Sequence, residues 1–137
     1  MPFDSMDFSN IAVPDINSKQ GKLLHLIEVL KNVPVDKFDM KIWRCGTSAC
    51  AAGWAGLDPV FNCMGFISSL HNKVYYRPNV NIYNVGLFAC MVFFELSDKQ
   101  ANHIFLPATY DSCNYITPND VISRIEQLLE EEKTNAV

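Results

Sequence analysis

The sequence predicts an all-α fold: a compact bundle of about five short helices, with room for one small β ribbon. Two observations carry this. Apolar residues recur at three- and four-residue steps at both ends of the chain, as Leu23, Leu24, Ile27 and Leu30 and again as Val121, Ile122, Ile125, Leu128 and Leu129. Between them, Leu87 to Phe94 is apolar on every face, which predicts a helix surrounded by protein or set in an oligomer interface.

Residues 1–16 carry Phe3, Met6, Phe8, Ile11, Val13 and two prolines without a period, so they are expected to form an extended arm lying on their own domain or on a neighbour's. Ser18 caps the first helix, and Pro34 stops it after Asn32. Val35 to Arg44 is an irregular connection or a short extended piece. Thr47 or Ser48 then caps a short helix from Ala49 to about Leu57, ended by Asp58-Pro59. Ala49, Ala52, Gly53 and Gly56 share one side of it, and this face without bulky side chains predicts a buried backbone crossing at Gly53, packed against the following apolar helix.

From Asn62 to Asn84 the pattern loosens into a long loop or a two-stranded ribbon at Val74 to Arg77 and Asn81 to Tyr83. The apolar helix follows from about Asn84 to Glu95. Ser97 and Gln100 have the spacing of a capping box at the head of a helix through Ala101, Ile104 and Phe105, which Pro107 closes. Thr117-Pro118 opens the last helix, whose Glu126 and Glu130 to Glu132 face water. Residues 17–132 thus read as one helical domain, with 133–137 a frayed tail.

At 137 residues, 49% hydrophobic and 19% charged, the chain is long and apolar enough to bury one core, which excludes disorder as its main state. A net charge of −4 opposes nonspecific attraction to duplex nucleic acid. Asp4, Ser5, Asp7 and Ser9 interrupt the apolar start, so no secretory leader is expected. The longest apolar run, Val85 to Phe94, is about half of the roughly twenty residues a helix needs to span a bilayer, so no membrane partner is expected. Five irregularly spaced cysteines read as reduced thiols in a cytoplasm. The apolar arm and the apolar helix together predict a homo-oligomer.

Three chemistries compete for the unusual residues. Cys50, at the third position of a helix capped by Thr47, could be a thiolate nucleophile, with His71 or His103 as base and Asn102, Asn114 or Asp111 orienting it. That placement resembles papain-like proteases, although Ala51 stands where their signature has an aromatic residue. The packing reading makes Cys50 a small buried residue beside Trp54, and it is preferred. Zinc would need a second close Cys or His pair beside Cys45 and Cys50, so no metal and no cofactor is expected. His25, near Glu28, reads as an ordinary helix residue. The third chemistry is recognition: Lys73, Tyr75, Tyr76, Arg77 and Tyr83 combine aromatic area with positive charge, a composition suited to a protein interface or to stacking on a nucleotide.

From Trp43 to Trp54 the chain reads W-R-C-G-T-S-A-C-A-A-G-W. This resembles the C-G-T-x-x-C-x-A-G-W pattern of small uncharacterised proteins of bacteria and their phages. In those a helix of the form Leu-Ser-x-x-Gln-Ala follows, here Leu96 to Ala101, then a Phe, here Phe105, and a Thr-Pro helix start, here Thr117-Pro118. The likeness covers about half the chain and brings no established activity. It implies a phage-encoded accessory protein, which we expect to bind and inhibit a host component without catalysis, as an anti-defence protein acting on a host protein or its small nucleotide signal. The competing expectation is a small cysteine hydrolase using Cys50.

Overall fold

The computed structural model describes residues 15–79, 81–111 and 115–135; most of the expected N-terminal arm, Cys113 and Asn114 lie outside them. The fold is mixed α/β and not all-α: the described residues form six α-helices and a three-stranded antiparallel sheet that packs on them by one face. The sheet is no accessory. Phe66 of its first strand and Val74 of its second are fully buried and belong to the same core as the helices.

Helix α1 (Lys19–Lys31) is capped by the Ser18 hydroxyl, which accepts from the Gly21 N–H at 3.0 Å. It ends at Asn32, and Leu23, Leu26, Ile27 and Leu30 form its buried stripe. Leu24 is turned outward instead, because Leu26 takes the core-facing position. A single 3-10 turn (Val35–Lys37) leads to the loop that carries Trp43.

Helix α2 (Ala51–Leu57) starts later than expected, because residues 38–49 are held by other bonds. Phe38 and Arg44 both bridge to Ala49, Asp39 N–H donates to Ala49 O at 3.0 Å, and Cys45 N–H donates to Ser48 O at 2.8 Å. With Ala49 committed to those bridges, the helix begins after Cys50. Asp58 then ends α2 and caps α3 (Pro59–Cys63), its carboxylate accepting from the Val60 and Phe61 N–H groups.

Strands β1 (Phe66–Ser69), β2 (Lys73–Asn79) and β3 (Ile82–Val85) form a meander in the order β1-β2-β3. Phe66 pairs with Tyr76 and Tyr75 with Val85, and a bulge between Tyr76 and Asn79 shifts the end of the second pair. The sheet's inner face packs on α4 (Leu87–Phe94), where Phe61, Phe66, Phe93 and Phe94 make a cluster of ring contacts 4.8–5.5 Å apart. Helix α4 is not wholly enclosed. Phe88 and Val92 are exposed, so the described residues of one chain do not surround this helix; the core is filled by Ala89, Cys90, Phe93 and Phe94 on its other side.

Helix α5 (Asp98–Phe105) has the expected capping box, with Ser97 and Gln100 each accepting from the other's backbone N–H. A second 3-10 turn (Pro107–Thr109) leads on to α6 (Pro118–Asn135), which packs across α1 and α5 through Val121, Ile122, Ile125 and Leu128. Among the described residues, no helix is long and apolar enough to cross a membrane.

Candidate functional site

The five residues expected to form a recognition surface divide between the two faces of the sheet. Successive side chains on a strand alternate, so Lys73, Tyr75 and Arg77 share the outer face of β2 while Val74 and Tyr76 face inward. Tyr75 and Tyr83 stack at 5.3 Å with an interplanar angle of 30°, and the Arg77 guanidinium lies 5.8 Å from the Tyr83 ring. The Tyr83 hydroxyl is pushed above its ordinary pKa, first by desolvation and then by Tyr75 beside it. Tyr76 is a correction: its ring packs edge-on against Phe93 at 5.0 Å and cannot serve the same surface.

The Cys45 to Leu57 segment is organised by close backbone approach. A Cβ at Gly53 would collide with the Trp43 carbonyl oxygen, and one at Gly56 would collide with the Ser68 backbone. The buried crossing at Gly53 is present, but its partners are the Trp43 loop and β1 where α4 was expected. Buried Ser68 completes the contact by donating from its hydroxyl to Gly53 O at 2.8 Å. Asn72, at φ 60°, accepts from the Trp43 and Arg44 N–H groups, and Arg44 donates to Ser68 O at 2.8 Å.

Cys50 is the N-cap residue of α2 and not its third helical residue, and its side chain makes no cap hydrogen bond. It is buried, and that burial pushes its thiol up to about 11, the reverse of what a nucleophile at neutral pH requires. The small cavity of about 200 Å³ beside it is lined by Met40, Ile42, Trp43 and Phe105 among others, with no histidine. His71 is exposed on the β1–β2 turn, where its N–H donates to the Ser69 hydroxyl. His103 lies on α5 against Arg124, and its pKa is lowered first by burial and then by that charge. His25 pairs with Asp58 at 2.8 Å and not with Glu28.

The sequence reading passed over two features. Cys45 is exposed, and its thiol is held below the ordinary value by the Thr47 hydroxyl and then by the Thr47 and Ser48 backbone. A threonine two residues after a cysteine in a Gly-containing turn is the signal that could have marked it. The other is Arg124, which lines a groove of about 620 Å³ between α5 and α6. It donates to His103 O at 2.6 Å, Thr109 Oγ1 at 2.8 Å and Thr109 O at 2.7 Å, while its guanidinium covers the Tyr110 ring at 3.5 Å. Those bonds tie the second 3-10 turn to α5 and α6. Among the described residues no group of three or more His, Cys, Asp or Glu side chains is placed to hold a metal ion.

No family model, no curated protein and no solved structure matches this chain.

Proposed function

We propose that the chain is a non-catalytic binding protein, a phage-encoded accessory that attaches to a host protein in the host cytoplasm and blocks it through the outer face of the sheet. The observation that supports this is the stacked Tyr75–Tyr83 pair with Arg77 over it, on a face the core does not use. Tyr and Arg are residue types that anchor interfaces: Tyr brings large area with only two side-chain rotations to freeze, and Arg brings several directional hydrogen bonds from one planar fork. Lys73, Arg77 and Tyr83 are all exposed on this face, and that exposure suits a protein surface better than a small nucleotide, which binds best buried in a concave site.

The test is capture from host lysate with the wild-type protein and with Tyr75→Ala, Arg77→Ala and Tyr83→Ala combined. A partner held by the first and lost by the second, with folding unchanged by circular dichroism, supports the reading. Equal capture by both overturns it. A nucleotide signal would be recognised by a rise in melting temperature of the purified protein on adding the nucleotide alone.

A further inference from the structure

Strand β3 is an edge of the sheet, and its register fixes which backbone groups face outward. Val74 pairs with Gly86 through the Gly86 N–H donating to Val74 O at 2.9 Å, and Tyr76 pairs with Asn84 two residues along. Gly86 and Asn84 therefore turn their backbone groups toward β2, and those of Tyr83 and Val85 point out of the sheet. Among the described residues nothing pairs with them.

Strand edges that remain single are normally guarded by charge, proline or a bulge at the edge. None of these guards β3. From Ile82 to Phe94 there is no charged residue and no proline, and the bulge lies on the β2 side. The same region exposes five apolar side chains: Ile82 by 50%, Tyr83 by 56%, Val85 by 43%, Phe88 by 56% and Val92 by 40%. Phe88 and Val92 are four apart on α4 and share one helix face.

We propose that β3 pairs antiparallel with β3 of a second copy of this chain, about a two-fold axis through Asn84, to give a continuous six-stranded sheet. In this register Tyr83 of each copy faces Val85 of the other, so the four outward N–H and C=O groups on each strand are satisfied by the same four on its mate. A two-fold contact requires such self-complementarity. It also carries α4 of both copies to the same side of the joined sheet, where the Phe88 and Val92 faces meet. Five partly exposed apolar side chains on each copy bring the buried surface to the order of 1,000 Å², the lower bound for a specific interface, so the dimer is reversible. This contact goes beyond the host-binding reading and does not depend on it.

Sedimentation velocity on the full chain, from micromolar to sub-millimolar concentration, should show a concentration-dependent dimer. Val85→Lys and Phe88→Glu should each yield monomer with an unchanged circular dichroism spectrum, and removing residues 1–14 should leave the dimer in place. The register has its own readout, because the Asn84 side chains meet at the axis as a non-hydrogen-bonded pair. In a background with Cys45, Cys63 and Cys113 replaced by Ser, Asn84→Cys should therefore form a disulfide-linked dimer on mild oxidation, and Ile82→Cys, which faces Gly86 of the other copy, should not. Monomer at every concentration overturns the proposal, as does a dimer that persists in folded Val85→Lys or one lost in a chain without residues 1–14 whose circular dichroism spectrum and unfolding midpoint match the full chain. If Val85→Lys fails to fold, the Phe88→Glu mass and the Asn84→Cys cross-link decide.

Discussion

Tyr75 and Tyr83 stack diagonally across β2 and β3, Tyr83 lying two residues along its strand from Val85, the partner of Tyr75 in the register. Neither ring is needed to fill the core, since the inner face of the same strands is closed by Val74 and Tyr76. An aromatic pair held in place by strand pairing and left on an open face keeps its area for a partner. Its geometry is set before binding, so little side-chain entropy remains to be lost there.

The two neighbouring tyrosines of β2 should consequently behave in opposite ways. Tyr76→Ala removes a ring packed on Phe93 beside the aromatic cluster and should destabilise the fold by about 2–4 kcal/mol. Tyr75→Ala loses one stacked surface contact and should cost less than about 1 kcal/mol. Urea unfolding of the two variants measures the difference, and similar losses would place both rings in the core.

Gly53 and Gly46 make a second contrasting pair within one motif. A methyl group at Gly53 meets the Trp43 carbonyl oxygen and the Ala49 side chain, so Gly53→Ala must push the Trp43 loop away from α2. We expect a loss of at least about 3 kcal/mol, at the upper end of overpacking effects. Gly46→Ala has nothing within 4 Å and should stay within about 0.5 kcal/mol of wild type. Thermal melts of the two proteins provide the comparison.

The terminal helices were readable because their stripes are long enough to show a period: Val121, Ile122, Ile125 and Leu128 are all buried as their spacing requires. The sheet was not. Strands β1 and β3 have four residues each, which leaves two per face, and β1 turns polar Ser68 inward, where it binds Gly53 O. Alternation is broken at the residue that ties the strand to α2. The candidate surface was legible in composition but not in direction, since Tyr75 and Tyr76 are the same residue type and only register decides which faces the core. Cys50 shows the same limit in a helix. Its burial agrees with the packing reading, whereas its place as the N-cap, and not the third helical residue, follows from bridges between Phe38, Arg44 and Ala49 that no local pattern announces.

Arg124 should be a structural staple whose loss lysine cannot repair. Its guanidinium donates to two carbonyls and a hydroxyl while lying flat on Tyr110, whose own hydroxyl donates to Ile104 O at 2.7 Å. An ammonium group has neither the fork nor the flat face. Arg124→Lys and Arg124→Met should each destabilise by about 2 kcal/mol, the loss expected when charge-assisted bonds to backbone carbonyls disappear. Recovery of wild-type stability in Arg124→Lys, measured by chemical denaturation, would show that charge alone matters there.

The cysteines should separate by pH. Cys45, exposed and held below the ordinary thiol value by Thr47, should react with iodoacetamide first as pH rises, with Cys50 and Cys90 protected in the folded protein. Burial raises the Cys50 thiol from 9.0 to about 11, so the folded state retains a proton there that the unfolded chain has already released. Stability from this source is full below pH 9 and falls as pH rises toward 11, by about 2–3 kcal/mol in all. Cys90, also buried and raised, adds to the same alkaline loss. Guanidinium unfolding at pH 8 and at pH 10.5 should therefore show a smaller decline in Cys50→Ala than in wild type. An equal decline in the two proteins would assign the alkaline loss to groups other than the Cys50 thiol.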